Sequence, residues 1–182
     1  MDKLQIESCL ESMIVLIDRR EQPSERAEKR YSSFKCQYRR QTLDYADYTY
    51  SCTKPDGTEL YLPDERVKGD VVIERKMDLT ELSGCFTHER KRFEAEFERA
   101  IENKAKIYLL VEDANWELLL NGSYRTKFNP KAYMASLTAY MARYNAVPIF
   151  CKHETSGKLI YEILRRELKE RLEKGFYDFL II

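Results

Sequence analysis

Two short apolar runs in this chain stop abruptly on clustered charge, and that pattern narrows the folds open to it. The first is Met13-Ile14-Val15-Leu16-Ile17, followed by Asp18-Arg19-Arg20-Glu21. The second is Val71-Val72-Ile73, followed by Glu74-Arg75-Lys76. Brief runs that are apolar throughout read as strands covered on both faces, so helices must lie above and below them. Helices are expected over 2–12, from Ser24 as N-cap to about 34, over 79–86 and 87–103, from Pro130 to 144, and from 155 to 174 with Gly175 as terminator. In the segment 87–103, Phe93, Phe97 and Ile101 mark the buried face. Further strands are expected over 36–43, 45–52, 106–112 and 147–151. Lys54-Pro55-Asp56-Gly57-Thr58 is a turn signal that would close a hairpin onto Glu59–Leu62. Strands and helices alternate, which predicts an α/β sandwich around a central mixed sheet.

A length of 182 residues suits one domain over 1–182, with its core in about 13–165. The formal net charge of zero does not exclude a nucleic-acid partner, because a basic groove and acidic metal ligands cancel in a sum. The five cysteines are odd in number, scattered and without a Cys-x-x-Cys pair, which points to reduced thiols and a cytoplasmic location. The polar N-terminus and the lack of a long apolar run predict no signal peptide and no membrane partner.

Chemistry gathers at the strand ends. Side chains alternate along a strand, so Glu74 and Lys76 share one face and Arg75 takes the other. A carboxylate and an ammonium placed so are half of a metal nuclease site: the acid binds a divalent cation and the amine acts on water or phosphate. A hard cation needs more oxygen than one carboxylate offers. Asp47 is the preferred second ligand, with Asp18 and Glu21 next. Asp70 lies about 13 Å upstream of Glu74 along an extended strand, too far to share an ion with it. Taken alone, Glu74-Arg75-Lys76 is also what a solvated strand end with surface ion pairs looks like.

The three charged motifs together resemble the XPF/MUS81 (ERCC4-type) nuclease family. Its strand ending in Asp-x-Arg-Glu is matched by Asp18-Arg19-Arg20-Glu21. Its Gly-Asp-Tyr is matched by Ala46-Asp47-Tyr48, with alanine in place of glycine, and its Glu-Arg-Lys by Glu74-Arg75-Lys76. The resemblance implies a restriction-endonuclease-like (PD-(D/E)xK) core and an endonuclease dependent on Mg2+ or Mn2+. The implied substrate is branched, flap or fork DNA. It also implies that Asp18, Asp47 and Glu74 line the metal, that Lys76 acts on water or phosphate, and that Arg20 and Arg75 contact phosphate or brace the carboxylates. Family members often pair through this domain, so a homodimer is implied too. Two departures stand out: Thr80 occupies the family's later acidic position, flanked by Asp78 and by Glu81 as a shifted substitute, and the tandem helix-hairpin-helix module is absent, as in small stand-alone phage or bacterial versions. A catalytically silent DNA-binding or scaffold domain of the same fold is the alternative.

Other features divide between function and surface. A basic first turn opposes the dipole of the helix over 87–103 unless an anion meets it, which makes Arg90 and Arg92 candidate phosphate contacts as well as members of a solvated face. His88 is a possible base or a lone surface histidine. Arg125 and Lys127 alternate with Tyr124 and Phe128, a pattern that fits both DNA contact and a packed loop. The apolar tail over 175–182 is expected to dock on the core or on a partner.

Overall fold

The computed structural model describes residues 1–178. Its elements run α1 (Lys3–Glu11), β1 (Ile14–Asp18), α2 (Glu25–Tyr31), β2 (Tyr38–Gln41), β3 (Tyr48–Ser51), β4 (Val71–Lys76), α3 (Leu79–Phe86) and α4 (Arg90–Glu102). They continue with β5 (Lys106–Glu112), α5 (Trp116–Leu120), α6 (Pro130–Tyr144), β6 (Val147–Cys151) and α7 (His153–Glu173). The six strands form one mixed sheet in the order β2-β1-β3-β4-β5-β6. β3 runs antiparallel to both β1 and β4, and the other pairings are parallel.

Strand alternation divides the core into two layers. Val15, Ile17, Tyr48, Val71, Ile73 and Leu110 face α1, α2 and α7. Val72, Ile107, Leu109 and Val111 face α3, α4 and α6. Extending the same alternation past Ile73 sends Glu74 and Lys76 toward α4 and Arg75 toward α2.

Several local expectations meet their physical reasons here. The Ser24 side chain accepts the Ala27 N–H and starts α2, which ends at Tyr31. Pro130 opens α6 behind the Asn129 cap, and Gly175, at φ +70, follows the end of α7. Ile101 is 39% exposed, and Ala100 is buried with Phe93 and Phe97 instead, because the stripe advances by 3.6 residues per turn and not by four. The short α5 carries no clear periodicity, and the sequence reading passes over it. The turn at Lys54–Gly57 forms and its arms pair briefly, through Lys54 N–H to Thr58 O at 2.8 Å, Leu60 N–H to Cys52 O at 2.9 Å and a bridge of Thr53 to Glu59, but Glu59–Leu62 does not go on as a strand. This segment instead covers edge strand β2 through side chains. Arg39 pairs with Glu59 at 2.8 Å and the Gln41 amide donates to the Leu62 carbonyl at 2.6 Å.

Within the tail, Tyr177 is buried and its hydroxyl donates to Asp70 at 2.5 Å, where Tyr50 also donates at 3.0 Å. Phe176 is 57% exposed, and Phe179 to Ile182 lie outside the described residues. No helix among the described residues is long and apolar enough to cross a membrane.

Gly157 sets how closely α7 approaches α2. A Cβ there would sit 2.2 Å from the Arg30 carbonyl oxygen and 2.9 Å from the Ser33 Cβ. Glycine to alanine ordinarily stabilises a helix interior by about 1 kcal/mol. Here the sign is reversed: Gly157→Ala is expected to cost about 1–3 kcal/mol through the forced shift of backbone. Thermal unfolding should show a Tm lower by several degrees, at about 2–4 °C per kcal/mol.

Candidate active site

The site sits where β1 and β4 end and the chain between Leu43 and Tyr48 crosses between them. Asp47 is held there by its backbone. Its carbonyl accepts the Asp18 N–H at 2.8 Å and its N–H donates to the Ile73 carbonyl at 3.1 Å. Its carboxylate accepts the Arg75 N–H at 2.7 Å. Ala46, just before it, has φ +60, a left-handed conformation that glycine adopts without strain. The corner that presents Asp47 is therefore strained at the position where the resembling family carries glycine.

Glu74 is 4% exposed and Lys76 lies beside it, with the ammonium 2.5 Å from the carboxylate and 5.2 Å from the Phe93 ring centre. Burial pushes the Glu74 carboxyl well above the usual range, and the Asp47 charge adds to the rise. Burial works against the Lys76 ammonium, but the Glu74 and Asp47 charges outweigh it and hold its pKa above the ordinary lysine value.

One residue at this site went unnoticed in the sequence. Glu96, on α4, has a side chain 19% exposed, lies 3.8 Å from Arg20, and is a further charge raising the Glu74 pKa. With Glu74, Tyr45 and Ala46 it lines a small pocket. Its signal was available: position 96 falls between Phe93 and Ala100, at spacings of three and four, so an acid stands on the buried stripe of α4.

The other sequence candidates divide. Asp18 is 1% exposed and both its oxygens are engaged, one by the Arg20 N–H and Nε at 2.7 Å each, the other by the Leu43 N–H at 2.8 Å. It ties β1 to the crossing segment, and Arg20 braces it. Glu21 is held from the other side of the sheet, though burial and the nearby Asp47 charge both push its pKa up. Its carboxylate accepts from Arg30 at 2.7 Å, Tyr31 at 3.0 Å and the Tyr48 hydroxyl, in the layer on the α2 side of the sheet. Arg75 enters that same layer, 3.2 Å from Glu112, and Arg30 lies 3.1 Å from the other Glu112 oxygen. A buried network of Glu21, Arg30, Arg75 and Glu112 thus anchors the end of β4 from behind.

Glu81 is fixed at the start of α3: its carboxylate accepts the Met77 N–H at 2.6 Å, and the N-cap Asp78 accepts the Glu81 N–H at 2.8 Å. Asp70 lies away from the site, with Tyr50, Tyr177 and Arg171. Arg90 pairs with Glu94 at 2.9 Å, Arg92 pairs with Glu89, and His88 is exposed beside Thr87. Arg125 lines a cleft of about 420 Å³ together with Arg26, Met77 and Thr80, next to Lys76 in the chain; Lys127 is exposed in the same loop.

Asp18, Asp47 and Glu74 do not form a closed triad of carboxylates. Among the described residues, the three-ligand set with all donor atoms within 4.8 Å is Asp113, His153 and Glu154. Asp113 there serves structure: it accepts the His153 N–H at 3.1 Å at the start of α7 and pairs with Arg26 at 2.6 Å. At the Asp47 site the donor chemistry does suit a hard divalent cation. The Asp47 and Glu74 carboxylates repel one another, and a cation between them would relieve that repulsion.

A stability prediction follows from the same repulsion. A carboxyl raised on folding contributes stability below its unfolded pKa and loses it as pH rises through the folded value. Without metal, Asp47→Asn removes the opposing charge while keeping an oxygen for the Arg75 N–H. The attraction of Asp47 for Lys76 and Arg20 is lost at every pH in this range, so the repulsion is read from the slope. Between pH 4.5, the ordinary Glu value, and pH 8 the variant is expected to gain roughly 1–2 kcal/mol relative to the parent, the worth of about one pK unit. Paired melting curves across that range in EDTA check it.

The comparisons with known proteins concern the family and the fold. A family model described as the ERCC4 domain matches residues 17–163. Among solved structures, the chain is similar to XPF from Aeropyrum pernix at 17% identity, with a TM-score of 0.57 over 85% of this chain and 61% of that one. It is similar to XPF from Aeropyrum pernix in complex with DNA at 18% identity, with a TM-score of 0.58 over 86% of this chain and 65% of that one. The chain therefore spans less than two thirds of those chains, and at such identity the likeness concerns the fold. No curated protein matches the chain. The mixed sheet with helices on both faces is a restriction-endonuclease-like core, and with a family model matched across most of its length, the chain belongs to the ERCC4 domain family.

Proposed function

We propose that this protein is a structure-specific DNA endonuclease that depends on Mg2+ or Mn2+ and cuts branched, flap or fork DNA. One observation carries the reading: a buried glutamate, Glu74, is paired with Lys76 and opposed by Asp47 at the meeting of two strand ends. Two carboxylates and one ammonium leave the cluster with an excess of negative charge, which a divalent cation would balance.

Asp47 and Glu74 would hold the ion, with Glu96 as a further acid within the same pocket. The ion, when bound, supplies a polarised water and neutralises phosphate charge. Lys76 remains protonated beside Glu74, so its part is to orient the attacking water and to stabilise the charge that builds on phosphate. Asp18 and Arg20 brace the segment that carries Asp47. Arg75 serves twice: its N–H holds the Asp47 carboxylate, and its guanidinium locks β4 to the network behind the sheet.

The test is a panel of fluorescent flap, fork, Holliday-junction and linear DNA with Mg2+, Mn2+ or EDTA. Metal-dependent cutting that favours the branched substrates is expected. Binding without cutting would establish the catalytically silent domain instead, a reading favoured by Thr80 at the family's later acidic position. No binding at low salt, where phosphate contacts are strongest, would remove the nucleic-acid reading.

A further inference from the structure

We infer that the groove between α4 and α6 is a second phosphate site, which holds the DNA backbone a short distance from the scissile bond. The groove, about 210 Å³, is lined by Arg90 and Arg143 over a floor of Ala135, Ser136, Ala139 and Tyr140. This inference rests on the nuclease reading and names where the substrate strand continues.

Two features independent of that reading point to an anion. Tyr140 is 3% exposed, and its buried hydroxyl has no hydrogen-bond partner. A buried hydroxyl left unpaired is costly, and a ligand oxygen in the groove would pair it. Glu94 draws the two arginines together, at 2.9 Å from Arg90 and 3.9 Å from Arg143. One carboxylate cannot neutralise two guanidinium groups, and most of their ten N–H donors remain available.

The groove's position ties it to the proposed catalytic lysine. The Lys76 ammonium lies 5.2 Å from the Phe93 ring centre, and that ring stacks on Tyr140 with 5.2 Å between centres and 26° between planes. One aromatic layer therefore separates the two. Phosphates recur every ~3.4 Å of axis along one strand, so a strand cut beside Lys76 brings a phosphate to the groove within a few nucleotides. The small side chains at 135, 136 and 139 let a backbone approach closely.

The experiment measures binding of a fluorescent flap duplex by anisotropy, in EDTA, across a series of salt concentrations. The double variant Arg90→Gln, Arg143→Gln is expected to bind about tenfold more weakly. Its slope of log affinity against log salt should be shallower by about 1–2, since each lost phosphate contact removes ~0.9. Tyr140→Phe should weaken binding with the slope unchanged, because only a neutral donor is lost. Melting curves establish that each variant is folded; Arg143→Gln alone, at a side chain 57% exposed, serves if the double variant is not. Scanning the substrate with neutral methylphosphonate linkages should then find a position that weakens the parent protein but not the double variant. Parent-like affinity and slope in the double variant, with the parent bound normally, would overturn the groove and leave the nuclease reading standing. A parent protein that binds no DNA would sink both.

Discussion

Glu74→Gln is expected to lower metal-dependent cleavage at least ~10³-fold, which corresponds to about 4 kcal/mol of transition-state stabilisation. The substitution keeps the shape of the side chain and removes only the charge. Its geometry argues for so large an effect: the carboxylate is buried, contacts the Lys76 ammonium at 2.5 Å, feels the Asp47 charge, and shares a pocket with Glu96. With a neutral amide, the cation loses a ligand and Lys76 loses the partner that aims it. DNA binding should survive, since no phosphate contact is assigned to Glu74. Mg2+ or Mn2+ should raise the Tm of the parent protein by mass action on the folded state and leave that of Glu74→Gln nearly unmoved. Single-turnover cleavage and a metal titration followed by melting read the two effects separately. A variant that cuts within tenfold of the parent would remove Glu74 from the chemistry.

Arg30→Met is expected to be the most damaging change away from the cleft. Arg30 is 3% exposed and joins Glu21 at 2.7 Å to Glu112 at 3.1 Å, both of them buried. Methionine has similar bulk but leaves two buried carboxylates short of a cation: Glu21 keeps the Tyr31 and Tyr48 hydroxyls and Arg75 at 3.5 Å, and Glu112 keeps Arg75 at 3.2 Å and Arg26 at 3.4 Å. Breaking a buried pair by removing one member typically costs about 3–5 kcal/mol. At about 2–4 °C per kcal/mol, the Tm should fall by roughly 6–20 °C. Adding Glu112→Gln to Arg30→Met removes one of the stranded charges and should recover part of the loss. A double variant no better than the single one would show that packing, and not charge balance, makes Arg30 indispensable. The network also bears on function, because Arg75 belongs to it and its N–H positions Asp47.

The local level of this protein was legible from the chain. Apolar runs at 13–17 and 71–73 announced buried strands, and Ser24, Pro130 and Gly175 marked helix ends, because caps and periodicities act over a few residues. Alternation assigned Glu74 and Lys76 to one face and Arg75 to the other with no knowledge of the fold. The hairpin over 59–62 stops short for a reason of the opposite kind. Its turn and first pairs are local and form, but the Tyr61 and Leu62 carbonyls are taken by Arg39 and Gln41, from a strand that sequence distance hides.

The acids show the same division more sharply. Asp18, Glu21, Asp47, Glu81 and Glu96 are equivalent as letters: each is a carboxylate near a strand end or on a helix. Composition and spacing could establish that acids and a lysine gather in this chain, and that Glu74 and Lys76 act as a pair, since two residues of strand set their directions. Which other acids meet them depended on distant donors. Arg20 and Leu43 claimed Asp18, Arg30 and two tyrosines claimed Glu21, and the Met77 N–H claimed Glu81. Asp47 and Glu96 were left facing Glu74. A carboxylate's role follows from the partners that reach it through space, and those partners arrive only when the chain has folded.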